Sequence, residues 1–387
     1  MFRGFTFALR PNADQAAAFD RTMGVCRLIW NLALEQRVNH WRQYQRATGD
    51  NLNYVTQARQ LKDLRAEFDW IKEVSQTVQQ RALKDLDTAF TRFFKGQGGF
   101  PKFKRKSGSS GFSYSGRDCS IERINKRWAR IKLPKMGWIR FRITRDIIGS
   151  MREVSISRTA IGWQVSIGCV SEDVPGCIGG SVGVDRGVSV PLMLSDHTSF
   201  NLPVQIGVLE QRCRAAQRAA SRKSRGSVRW QKAVRRVAKL RAKQARVRKH
   251  WAHEATTAIC KKYGTVVIER LRTQNMTRRA KLKGVSQKRG LNRAILNVGW
   301  HQIEAMLSYK AFELKKVDAA YTSQTCSCCG TIDKRARESQ ASFVCHACGF
   351  RGNADWNAAI NILNRGITPG IEAVNRGAVE VRTVQGI

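Results

Sequence analysis

The chain has 387 residues, 42% of them hydrophobic, which suits two or three folded domains and excludes a disordered polymer. Its 69 Lys and Arg against 29 Asp and Glu leave a formal net charge of +40. So large an excess repels itself in a compact state and calls for a polyanionic partner, either a membrane surface or nucleic acid. With no apolar run of about 18 residues and no signal-peptide layout in residues 1–10, no membrane association is expected, and nucleic acid is favoured.

Phe5, Phe7 and Leu9 alternate with Thr6 and Ala8, the pattern of a strand. Pro11 interrupts it, and Asn12 with Gln15 three residues on has the form of a helix N-cap. Helices are expected over 13–47 and 53–95. Leu83, Leu86, Phe90 and Phe93 recur at steps of three and four, a packing stripe, and the helix should stop at Gly96–Pro101. Short β-rich runs follow at 103–106, 112–114, 138–141, 154–156 and 163–167. Separated by turn residues, they suggest a small barrel that the N-terminal strand could join. Aromatic residues interleaved there with Lys102, Lys104 and Arg105 could stack on bases and touch phosphates.

A third region opens with the strand Ser181–Asp185 and a hairpin to Leu194. Between Arg212 and Lys249 lie sixteen Lys or Arg and no acid, in two helices joined by a turn at 221–228. A run without counter-charges is unfavourable unless an anion covers it. Arg222, Lys223, Arg225, Arg235 and Arg236 are therefore candidate nucleic-acid contacts, as are Arg278 and Arg279 further on. A second strand covers 265–268, and residues 367–387 show no periodicity and read as a disordered tail.

Of eleven cysteines, several stand alone in apolar surroundings (Cys26, Cys169, Cys260), a pattern of reduced thiols in a reducing cytoplasm. Cys326 and Cys329, then Cys345 and Cys348, form two C-x-x-C pairs separated by fifteen residues, each followed by glycine (Gly330, Gly349). That spacing fits a zinc ribbon whose four thiolates close the shell of one structural Zn²⁺. Cys328 and His346 are spare donors in the same loops.

Three acids occupy unusual places. Asp185 ends an apolar strand between Gly183 and Gly187, Glu269 ends Val266-Val267-Ile268, and Asp355 lies in the first turn of a helix after the second cysteine pair. A carboxylate at the end of a buried strand is costly unless a cation relieves it. Oxygen donors suit Mg²⁺ or Mn²⁺, and two such ions about 4 Å apart support phosphodiester cleavage.

Taken in order, these motifs resemble the TnpB (OrfB) family of transposon-encoded RNA-guided DNA endonucleases, related to compact type V CRISPR effectors. The resemblance runs from Leu9-Arg10-Pro11 and Cys26–Asn31 to about Gly366. It is sharpest at Gly183–Gly187, Val267–Leu271 with Asn275-Met276-Thr277, Gly290–Arg293, Tyr321–Cys326 and Asn353–Ala359. It implies a multidomain α+β chain with a RuvC-like, RNase H-type nuclease fold at 177–320 and 352–366, interrupted by a zinc-ribbon insert at 321–351 that handles target nucleic acid. It also implies a wedge-type β-barrel from 1–10 and 100–176, with a helical recognition domain, 11–99, between them. Asp185, Glu269 and Asp355 would be the catalytic metal ligands. The partners would be a guide RNA and double-stranded target DNA beside a short motif. Gln76, Gln79 and Gln80 are the candidate readers of that motif. The expected setting is the bacterial cytoplasm, at the nucleoid when DNA is bound, with a monomer favoured. Asn353 stands where some relatives carry a first Asp, and His197 where a turn glycine is common. An RNA-guided repressor without cleavage and a strand-transferring transposase are the alternatives.

Overall fold

In a computed structural model, which describes residues 2–45, 52–106, 111–171, 177, 179–278, 284–339 and 341–367, the alternation at the N-terminus forms strand β1, Phe2–Arg10. Phe5, Phe7 and Leu9 all point into a core. The chain divides into two units, Met1–Asp173 and Val174–Ile387.

In the first unit, helix α1 spans Ala13–His40 and continues as a π-helix over Trp41–Gln45. Asn12 and Gln15 form the expected reciprocal cap: the Asn12 side chain accepts from the Gln15 N–H at 2.8 Å, and Gln15 Oε1 accepts from the Asn12 N–H at 3.1 Å. The single helix expected over 53–95 is instead three, α2 (Tyr54–Glu67), α3 (Asp69–Lys72) and α4 (Gln76–Phe94). No glycine or proline marks these breaks. They are held by side chains: Gln79 Nε2 donates to the carbonyls of Ile71 (2.7 Å) and Val74 (3.3 Å), and Arg65 donates to Val74 O at 3.0 Å. Carbonyls freed by the kinks thus find buried partners.

Six further strands complete the unit: β2 (Gly111–Ser115), β3 (Ser120–Arg123), β4 (Trp128–Leu133), β5 (Gly137–Arg142), β6 (Ser150–Thr159) and β7 (Gly162–Val170). They pair in one sheet of order β2-β6-β7-β1-β5-β4-β3, with β1 antiparallel to both β7 and β5. Residues 103–106, expected as a strand, are not one. Their segment is fastened to α1 instead, because Trp30 Nε1 donates to Lys102 O (3.1 Å) and Asn31 pairs with both the N–H and the C=O of Lys104.

The second unit is built on β8 (Ser181–Asp185), β9 (Leu192–Leu194), β10 (Ser199–Phe200), β11 (Thr265–Glu269) and β12 (Glu313–Val317), in the order β10-β9-β8-β11-β12. β8, β11 and β12 are parallel, as the continuous apolar runs of the first two suggest, since such runs are buried on both faces. β12 (ELKKV) is a polar edge strand that no apolar run announces. Helices α5 (Val204–Ser221) and α6 (Val228–Lys262) form the basic pair, with α7 (Val285–Val298) and α8 (Trp300–Lys310) after β11. The last helix among the described residues, α9 (Ala354–Ile367), crosses β8 so closely that a Cβ on Gly183 would sit 2.1 Å from Ala359 O. The tail expected from 367 onward lies, beyond its first residue, outside the described residues, as does Arg279.

Candidate active site and metal centre

Parallel pairing aligns the strand ends. Ile268 pairs with Val184, so the following residues, Glu269 and Asp185, close β11 and β8 side by side, one inter-strand spacing of about 4.8 Å apart in backbone. Asp355 joins them from α9. Asn353 Oδ1 accepts from the N–H groups of Asp355 (2.9 Å) and Trp356 (3.0 Å), capping this helix and fixing the acid in its first turn, where the helix dipole favours a negative charge.

Asp185 feels both of the other carboxylates. Burial, then the charges of Glu269 and Asp355, push the Asp185 carboxyl up to about 7, against the opposing pull of Arg337. Burial also raises Glu269, opposed first by the Thr322 hydroxyl and then by Arg186, and raises Asp355, opposed by Arg337. All three carboxyls remain raised despite the nearby Arg337, and oxygen-only donors in a partly dry site suit a hard divalent cation.

Residues that sequence reasoning did not single out hold this set in place. Thr322, 2% exposed, donates its hydroxyl to Glu269 Oε1. Arg186 is buried, donates to the Glu269 carbonyl and pairs with Glu304 at 3.0 Å. Arg337 Nη2 reaches Asp355 Oδ1 at 3.0 Å. On α9, Asn361 Nδ2 donates to Thr322 O (3.0 Å) and Thr325 O (2.7 Å), while Asn357 donates to Thr325 O and accepts from the Ser327 N–H. The two asparagines thereby clip the 322–327 segment to the helix that carries Asp355. Asn357 lies in the Asn353–Ala359 motif and Asn361 two residues beyond it, but spacing gave no hint that this stretch grips Tyr321–Cys326.

His197 has a left-handed backbone, φ 66°, where a glycine would be unstrained. Its ring stacks on Trp356 at 3.7 Å, and Trp356 Nε1 donates to Ser195 O at 3.0 Å. A contact between the hairpin turn and α9 offsets the backbone cost.

Cys326, Cys329, Cys345 and Cys348 converge so that all four Sγ atoms lie within 4.8 Å of one another. Cys326 and Cys348 are 3.7 Å apart, and Cys329 and Cys345 are 3.6 Å apart. Four thiolates about 2.3 Å from a tetrahedral ion lie about 3.8 Å from each other, so the set fits such an ion. Each pair sits on the same turn: Gly330 N–H donates to Cys326 O and Gly349 N–H to Cys345 O, with φ of 77° and 73° at the two glycines. Cys328 and His346 are exposed and stand outside the cluster. Around it, β13 (Ser342–Val344) pairs with β14 (Arg351–Asn353) over the buried ring of Phe343.

Lys102, Lys104, Arg105, Arg222, Lys223, Arg225, Arg235, Arg236 and Arg278 are all exposed. Lys104 caps the Trp30 ring at 3.7 Å. Of the candidate motif readers, Gln76 is exposed and Gln80 half-buried, but Gln79 is fully buried, with its amide spent on Ile71, Val74 and Arg65. Its place in the fold is structural.

Fold and site together define a mixed α/β protein with an acidic centre at the ends of parallel strands and a four-cysteine module packed beside it. Three family models match: "Helix-turn-helix domain" of OrfB over residues 1–46, "Probable transposase" (OrfB) over 178–280, and "Cas12f1-like, TNB domain" over 300–362. An Escherichia coli (strain K12) protein that carries the name of an RNA-guided DNA endonuclease, InsQ, is 35% identical, with 94% of this chain and 92% of that protein aligned. A Streptomyces pristinaespiralis protein named likewise is 30% identical over 94% of this chain and 89% of its own. The chain belongs to this TnpB (OrfB) family. Its fold is similar to that of Cas12f1 in a solved complex with sgRNA and target DNA, at a TM-score of 0.55 and 18% identity, over 91% of this chain and 83% of that one. No helix among the described residues is long and apolar enough to cross a membrane.

Proposed function

We propose that the protein is an RNA-guided DNA endonuclease that takes a transposon-derived guide RNA and cuts matched double-stranded DNA beside a short motif. Asp185, Glu269 and Asp355 form its one active site. The observation that carries this reading is the delivery of three acids by two adjacent strand ends and a helix start, with Asp185 feeling the charges of both Glu269 and Asp355. The five-stranded sheet with α9 across it is the RuvC-like, RNase H-type core. The seven-stranded sheet serves as the wedge barrel, α1–α4 as the recognition helices and the cysteine module as a zinc ribbon.

Mg²⁺ or Mn²⁺, when bound, would supply the activated water and neutralise the leaving oxygen. The chain's own residues prepare the place. Asp185 and Glu269 present oxygens from neighbouring backbones that cannot splay, and Thr322 keeps one Glu269 oxygen hydrogen-bonded so that the carboxylate does not rotate away. Asp355 adds an oxygen from the third side. The cations of α5 and α6 supply sequence-independent grip on phosphates, while pairing with the guide selects the sequence. An intact acid set gives no support to a non-cleaving repressor. The site of action is the bacterial cytoplasm, on nucleoid DNA.

Protein purified with its copurifying RNA and Mg²⁺ should cut matched DNA. Asp185→Ala should abolish cutting and leave RNA binding unchanged; cutting by that variant at the wild-type rate overturns the assignment.

A further inference from the structure

Helix α4 ends in aromatic residues that the core does not take up. Leu83 and Leu86, in the middle of the helix, are buried, but Phe94 is 77% exposed. The loop after it adds Phe100 at 48% and Phe103 at 56%. Phe93, Phe94 and Phe100 cluster with Phe90, which packs on the core at the base of the group. Phe93 lies 5.3 Å from both Phe94 and Phe100, and Phe90 stacks on Phe94 at 6.2 Å and meets Phe100 edge-on at 5.6 Å.

A floppy loop could expose phenylalanines at little cost. This one is pinned by Trp30 and Asn31 through three hydrogen bonds to Lys102 and Lys104, so the backbone on either side of Phe103 is fixed, while Phe94 is held by helix α4. The same stretch, residues 92–106, carries six Lys or Arg and no acid. A second copy of the chain is a poor occupant, since it would bring the same six cations face to face. The occupant must offer flat apolar faces and negative charge together, and unpaired nucleotides do so.

We infer that Phe94, Phe100 and Phe103 form a stacking platform for unpaired bases, with Lys95, Lys102 and Arg105 placed for the phosphates between them. The platform takes single-stranded nucleic acid; a paired duplex buries its base faces and gains nothing from the rings. The inference rests on nucleic acid as the partner but not on cleavage.

The test uses the full-length protein and the double variant Phe94→Leu/Phe103→Leu, which keeps apolar volume and removes two ring faces. Affinity for an oligothymidine should fall about tenfold or more, as loss of base stacking does. The slope of log affinity against log salt should stay the same, because phosphate contacts remain. Wild type and variant should bind a fully paired duplex alike, and an abasic oligonucleotide alike. Equal oligothymidine affinity for the two proteins, the same loss on the abasic probe, or a concentration-dependent self-association abolished by the variant would each overturn the platform. Repeating the measurement in Asp185→Asn keeps it independent of cutting. In the guided complex with matched DNA, iodouracil placed in an unpaired stretch of the guide or in the displaced DNA strand should photocrosslink to residues 94–103 from one of the two, which names the source. Crosslinking from neither rejects the inference.

Discussion

Arg337 of the cysteine module and Asp355 of α9 are joined by a 3.0 Å ion pair, and the same guanidinium also lowers the proton affinity of Asp185 and Glu269. One arginine therefore partly neutralises all three acids. With the proposed divalent ion at these acids, it would compete for the same oxygens. Arg337→Ala should bind Mn²⁺ several-fold more tightly, read by calorimetry or electron spin resonance on the RNA-bound protein. Weaker Mn²⁺ binding in that variant would contradict the competition.

Thr322 gives the opposite result. Thr322→Val keeps the shape but leaves a buried Glu269 oxygen without its donor, a loss of about 1–3 kcal/mol. The Mg²⁺ concentration for half-maximal cutting should rise roughly fivefold to a hundredfold. Asn361→Ala, which frees the segment carrying Thr322, should move the same quantity in the same direction by a smaller amount. A change in RNA affinity with no change in Mg²⁺ dependence would assign Thr322 elsewhere.

Thiol modification should release one zinc ion per chain, measured with a chromophoric chelator. Cys329→Ser should abolish the release, whereas Cys328→Ser and His346→Ala should leave it unchanged, because neither residue belongs to the cluster. Structural zinc contributes folding free energy directly, so the stripped module should lose its protection from proteolysis.

The raised Asp185 carboxyl fixes a pH dependence. An unfolded aspartate titrates near about 4, and the folded one near about 7. The folded state thus binds the proton more tightly. That contribution to stability is fully present below about pH 4 and lost as pH rises to 7. In EDTA, the melting temperature of the wild type should fall relative to Asp185→Asn across this window. Added Mn²⁺ should reverse the difference at pH 8, and its apparent affinity should drop about tenfold per pH unit below 7, since ion and proton exclude each other.

Gln79→Leu should destabilise the protein by about 1–3 kcal/mol, because two kink carbonyls lose their donor. It should leave the preferred target-adjacent sequence unaltered. Gln76→Ala should do the reverse if that exposed amide reads the motif, and selection from a randomised target library measures both.

Patterns that rest on one element were legible in the sequence. The β1 alternation, the Asn12–Gln15 cap, the turn between α5 and α6 and the two glycine-terminated cysteine turns are all local. So was each acid taken singly. What stayed hidden depends on contacts between distant segments. The kinks around Ile71 exist because Gln79 satisfies them from another helix, and β12 is a strand only because β11 offers it an edge. Residues 103–106 look like a strand by composition, yet α1 holds their backbone from outside any sheet. Arg337 looked like one more cation among 69 until the fold carried it to Asp355.

The path of the chain through the second unit has a temporal side. Asp185 and Glu269 are translated before the cysteine module and Asp355 after it, on a helix whose seat lies directly against Gly183. A nascent polypeptide still short of that helix owns two of the three acids of the proposed cutting centre. On the proposed assignment, ribosome-bound protein engages RNA while harmless to the chromosome, and it becomes hazardous only once α9 emerges and docks.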